Sequence, residues 1–76
     1  MSTGVTRRIA EKAERVVQER LDLAASRQVF CENHEGVLVL RGRVSSFYEK
    51  QLAQEAVRKL EGVDQIVNQI EVVPMN

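Results

Sequence analysis

Apolar and small residues at Val5, Ile9, Ala13, Val16, Val17, Leu21 and Ala24 recur at intervals of three and four, the spacing of an amphipathic helix. The pattern predicts a helix over 5–24. Ser2 or Thr3 can cap its start, and Glu11 with Arg15 makes a favourably oriented pair four residues apart. Arg8, Lys12 and Arg15 run along the opposite side, interleaved with Glu11, Glu14 and Glu19, as on a solvated charged face. The period then changes. A short run of strand formers over 28–32 and a longer one over 37–44 flank Asn33-His34-Glu35-Gly36, a turn-rich tetrapeptide, and together predict a β-hairpin. In the second strand Leu38, Leu40, Gly42 and Val44 share one side, and Val37, Val39, Arg41 and Arg43 share the other. Gly42 inside a strand leaves room for the close approach of a helix or for a kink, which suggests that its face packs under the second helix.

That second helix is announced by Ser46-Phe47-Tyr48-Glu49, a capping box in which the Ser46 hydroxyl accepts from the Glu49 N–H. It is predicted over 47–61. Leu52, Ala53, Ala56, Val57 and Leu60 form its apolar stripe, Glu55 and Lys59 pair on the surface, and Gly62 takes the place of a helix-ending glycine. Ile66, Asn68, Ile70 and Val72 then alternate at period two up to Pro74, which predicts a strand over 66–73.

The order is α-β-β-α-β, an α+β domain occupying 1–76. Two amphipathic stripes need one common surface, so the expected architecture is a three-stranded mixed sheet with both helices packed on one face. The last strand lies parallel to a hairpin strand through a right-handed crossover. The other sheet face is left open, with Phe30, Val37, Val39 and Val67, and with Val73, making it more apolar than a solvated face usually is.

Composition narrows the function more than it names it. With 76 residues, a domain buries only about 60% of its unfolded surface and has little stability left for a deep substrate cavity. Eleven Lys and Arg balance eleven Asp and Glu, so contact with an anionic surface must come from a local patch. Cys31 is the only cysteine, which excludes an intramolecular disulfide and reads as a core residue. His34 and Glu35 are neighbours in the hairpin turn and no paired catalytic or phosphate-cradling motif accompanies them. No enzymatic activity, metal or cofactor is expected. Nucleic acid is not expected either, because the chain offers neither a Gly-x-x-Gly loop between helices nor aromatic platforms across its sheet. No stretch approaches the roughly 20 apolar residues of a membrane span, and charged residues replace the apolar part of a signal peptide. The chain as written is therefore expected in the cytoplasm, or in the periplasm as part of a longer exported parent.

One ordered set of residues is more specific. Gly36, Leu38, Leu40, Gly42 and Val44, then Ala53, then Gly62, Val63, Ile66, Asn68, Ile70 and Val72 resemble the BON domain, the bacterial osmotic-stress and nodulation module. The likeness covers about 28–73. It implies an α-β-β-α-β fold and a non-catalytic module that binds phospholipid or membrane surfaces, linked to envelope or osmotic stress. Many members carry a signal peptide and two copies of the domain, and this chain shows neither. The family has no universal ligand residue to transfer, so Gly36, Gly42 and Gly62 are read as structural, serving a turn, a packing site and a helix end.

Two binding roles remain. In the first, Arg7, Arg8, Lys12 and Arg15 on the first helix, or Arg41 and Arg43 on the sheet, meet an anionic phospholipid surface, and Phe47 and Tyr48 enter its interface. A packing role competes for the two aromatics, with Phe47 stapling the helix start and Tyr48 shielding the hairpin. In the second, the open face of Phe30, Val37, Val39 and Val67 meets another protein or a second copy of the chain.

Overall fold

The computed structural model describes residues 3–74, with side chains from Arg7. Six elements follow in order: α1 (Thr3–Arg20), α2 (Leu23–Ser26), β1 (Val29–His34), β2 (Val37–Val44), α3 (Phe47–Val57) and β3 (Gln65–Val72). The sheet order is β1-β2-β3, with β1 antiparallel and β3 parallel to the central β2. This is the expected mixed three-stranded sheet. Ala13 and Val17 of α1, Leu21 just after it, and Ala53 and Val57 of α3 close over Val29, Cys31, Leu38, Leu40, Val44 and Ile70 on one side of it.

The first helix departs from expectation at its end. The stripe through Leu21 and Ala24 suggested continuity to residue 24, but α1 stops at Arg20 and Asp22 adopts an extended backbone, φ −68° and ψ 168°. The Asp22 carboxylate accepts from the Ala25 N–H at 2.8 Å and starts the four-residue α2. A local side-chain acceptor has overridden the helical period. The expected cap at Ser2 or Thr3 lies outside the described side chains. Among the described residues Glu11 and Arg15 form no ion pair, and Glu55 meets Arg58 at 3.5 Å rather than Lys59.

The hairpin loop is two residues long, with Glu35 at φ 50° and Gly36 at φ 90°, both in the left-handed region as in a type I′ turn. The Gly36 carbonyl accepts from Asp64 N–H at 2.7 Å and Gln65 N–H at 3.1 Å, which ties the start of β3 to the turn. Gly42 has φ 131°, and a Cβ there would collide with the Gln28 carbonyl oxygen. That oxygen accepts from Arg43 N–H at 3.1 Å. The close neighbour of Gly42 is therefore the chain entering β1, where helix two was expected.

At Ser46 the hydroxyl accepts from Glu49 N–H at 3.2 Å, the first half of the capping box. The return half shifts by one residue. Glu49 Oε1 accepts from Ser45 N–H at 3.0 Å and from the Ser45 hydroxyl at 2.7 Å, as well as from the Ser46 hydroxyl at 3.3 Å. α3 ends at Val57, short of the expected 61, so Gly62 lies beyond the helix in a separate turn with φ 86°. Leu60 still packs against the core although it is no longer helical.

Cys31 is buried as expected, and burial together with the nearby Glu14 carboxylate pushes its thiol up to about 12. The same carboxylate accepts from the Cys31 N–H at 3.1 Å. Because this N–H points away from β2, Glu14 satisfies a donor on the outer edge of the sheet. On the opposite edge Asn68 Oδ1 accepts from Ile70 N–H at 3.1 Å, and Asn68 Nδ2 donates to the Lys50 carbonyl of α3.

Candidate functional site

All three aromatic residues of the chain lie outside the core: Phe47 is 74% exposed, Tyr48 69% and Phe30 58%. An aromatic ring normally contributes about 150–250 Å² of buried surface, so this placement gives up a large source of stability three times. The rings occupy two regions. Phe47 and Tyr48 open α3 next to the end of α1, and Phe30 sits on the uncovered face of the sheet. Neither stapling by Phe47 nor shielding by Tyr48 buries its ring.

On the sheet face the register brings Glu32, Val39 and Val67 into one row, with Phe30, Arg41 and Gln69 in the next. Val37, Val39 and Val67 are half-buried by their neighbours. Arg41 meets Glu32 at 3.4 Å, and Glu32 also faces His34 at 3.4 Å. Arg43 meets Glu71, its register partner, at 3.5 Å. Both sheet arginines expected as membrane contacts thus already face a carboxylate, and the face carries no net charge with His34 neutral.

The helical side differs. Arg7, Arg8, Lys12 and Arg15 are exposed, and none of them forms an ion pair among the described residues. Arg8, Lys12 and Arg15 follow one another at four- and three-residue steps and so share one stripe of α1. The structure does not bring them together with Arg41 and Arg43, which lie on the other side of the sheet.

At the end of the molecule the last turn of α1, the short α2, the β2–α3 turn and the residue after β3 converge around two open clefts. One, of about 400 Å³, is lined by Asp22, Ala24, Gln28, Arg43, Glu49 and Val73 among others. The second, of about 360 Å³, is lined by Arg20, Leu21, Asp22, Ser46, Tyr48 and Leu52 among others. Leu23, 63% exposed, adjoins this end, and Val73, 43% exposed, lines the first cleft together with Arg43 of the open face. Sequence reasoning missed Leu23 because it read residues 5–24 as one helix. The signal was Asp22, a helix-capping residue inside the apparent stripe.

No three His, Cys, Asp or Glu side chains gather to hold a metal ion among the described residues. No described helix is long and apolar enough to cross a membrane.

The family model of the BON domain matches residues 6–74, nearly the whole chain. The chain belongs to the BON domain family. The match reaches further back than the resemblance in sequence did, taking in most of α1. Among curated proteins no relative matches the chain significantly. In this BON domain the glycines of the family pattern sit at the hairpin turn, at the β1–β2 crossing and beyond α3, whereas every exposed aromatic lies off that pattern.

Proposed function

We propose that this BON domain is a non-catalytic module that docks on anionic phospholipid surfaces. The observation that carries the reading is the exposure of Phe47 and Tyr48 at the start of α3, where neither ring contributes to the core. Rings of this kind favour the membrane interface, and withdrawing one from water is worth about 1.5–3 kcal/mol. Cations on the helical side add about 1 kcal/mol each near an anionic leaflet. Aromatic insertion and a few unpaired cations together give a weak, salt-sensitive attachment.

The direct test is co-sedimentation with vesicles of phosphatidylglycerol or phosphatidylcholine, at about 0.05 M and about 0.5 M salt. Binding to the anionic vesicles that weakens in salt supports the reading. No sedimentation with either vesicle at low salt rejects it.

A second reading, a protein-binding sheet face, is favoured by Phe30, exposed beside the Val39–Val67 row. Its size limits it. Three strands of eight residues or fewer span about 26 Å by 14 Å, roughly 370 Å², against about 800 Å² per partner in a standard interface. A homodimer through this face alone would be weak. Replacing Val39 by Lys dissociates any such dimer and leaves vesicle binding intact; an unchanged oligomeric mass in Val39→Lys would remove the sheet-face reading.

A further inference from the structure

Five large hydrophobic side chains are exposed among the described residues; of these Val73 and Tyr48 line the two clefts at the α2–α3 end, and Leu23 and Phe47 adjoin cleft-lining residues along the chain, Asp22 and Ala24 for the one and Ser46 and Tyr48 for the other. We propose that the protein docks end-on, inserting this four-residue apolar tip into the interface of an anionic bilayer. The proposal rests on the membrane reading above and adds which part of the molecule enters.

Three observations carry it. The first is convergence: Val73 lines one cleft and Tyr48 the other, and Asp22, Ser45 and Glu49 are common to both, so segments distant in sequence build a single surface. The second is the origin of Leu23. The Asp22 cap ends the helical path there and starts a new turn whose first residue is Leu23, which stands in solvent. The third is charge. Arg20, at the wall of the second cleft, and Arg27, at the end of α2, form no ion pair among the described residues. The carboxylates nearby, Asp22 and Glu49, keep their negative charge but accept only from neutral donors, the Ala25 N–H and Ser45 and Ser46, so neither is tied to an arginine. An apolar patch rimmed by available arginines complements an anionic headgroup layer over an acyl interior.

End-on docking separates this surface from the α1 cations. Arg8 precedes Arg20 by twelve residues, about 18 Å along the helix, which exceeds two Debye lengths of about 8 Å at physiological salt. Arg8 and Lys12 then contribute little, whereas a molecule lying flat on α1 would depend on them. Arg15, nearer the tip, is intermediate.

The test compares partitioning of the full chain onto phosphatidylglycerol vesicles for three double variants. Leu23→Ser with Phe47→Ser is expected to weaken partitioning at least tenfold. Arg20→Glu with Arg27→Glu should weaken it severalfold, and Arg8→Glu with Lys12→Glu less than twofold. All six positions are exposed, and retained amide dispersion in each variant's NMR spectrum establishes folding. Tyr48 is the only tyrosine in a chain without tryptophan, so quenching of its emission by brominated phosphatidylglycerol reads tip insertion in the unaltered protein. Strong quenching supports the proposal. Loss of binding in Arg8→Glu/Lys12→Glu with the tip variant unaffected overturns end-on docking and leaves the membrane reading standing. Absence of wild-type binding overturns both.

Discussion

The open sheet face and the α2–α3 end carry similar inventories, an exposed aromatic, aliphatic neighbours, arginines and carboxylates, yet their arginines differ in how they are paired. On the sheet, register sets Arg43 opposite Glu71 and Arg41 diagonal to Glu32, and both pairs form. At the end, Arg20 and Arg27 stand outside any ion pair among the described residues, while Asp22 and Glu49 are occupied by backbone and serine donors. A cation opposed by a carboxylate a few ångströms away adds little long-range field, whereas an unopposed one is available to a partner. Counting arginines would rank the two regions equally. Their partners rank the helical end first for an anionic surface and leave the sheet face suited to a neutral, apolar one.

The largest effect is expected at the joint between the two regions. Gly42 lies against Gln28, and Gln28 and Arg43 line the cleft, so a side chain at Gly42 forces β1 away from β2 and disturbs face and tip together. Gly42→Val should cost about 3 kcal/mol or more, from the steric clash and the positive φ together, measured by urea denaturation. A loss under about 1 kcal/mol would mean that β1 can move without cost. Next is the cap. Asp22→Ala should cost about 1 kcal/mol of stability and weaken vesicle binding, because α2 positions Leu23. If stability falls and binding does not, Leu23 is not part of the contact.

A smaller stability change, but a direct attack on the contrast, comes from releasing the sheet cations. Glu32→Gln with Glu71→Gln should cost no more than about 1 kcal/mol, since both pairs are solvent-exposed. It frees Arg41 and Arg43 and should create low-salt vesicle binding that persists when Leu23 and Phe47 are replaced by Ser. Failure to gain such binding would show that pairing is not what silences the face.

The last check, in which the tip contact is expected to change nothing, concerns Cys31 in β1, buried beneath the sheet face. With its thiol raised to about 12 by burial and by Glu14, the folded protein keeps the proton that the unfolded chain loses near the ordinary thiol value of 9.0. Stability from this group is complete below pH 9 and declines as pH rises from 9 towards about 12. Alkylation in that range reports opening of β1. Vesicles bound at the tip should leave its rate unchanged, and protection by vesicles would place the contact on β1 instead.

Much of the fold was legible because each element carried a local signal. Period 3.6 marked α1 and α3, period two marked β2 and β3, and Ser46 with Glu49 marked the start of α3. What escaped were competitions between signals. Asp22 interrupts a stripe that runs on through Ala24, and the chain follows the side-chain acceptor over the hydrophobic period. α3 stops before Leu60 although Leu60 still packs on the core, so an apolar spacing matched a contact without matching a helix. The site was less legible for a different reason. Arg41 and Arg43 read as available cations, because their neutralisation depends on a cross-strand register that alternation alone does not fix. Leu23 and Val73 are 50 residues apart in sequence, and only the tertiary fold sets the α2 segment and the residue after β3 around one cleft.

A residue-resolved amide NMR titration of the full chain with phosphatidylglycerol nanodiscs, repeated in phosphatidylcholine nanodiscs and in high salt, tests end-on docking most directly. Broadening confined to 20–28, 45–50 and 72–73, lost in salt and in the zwitterionic lipid, is the predicted result. Broadening confined to 7–15, or to the rows of Phe30, Val39 and Val67, would contradict it.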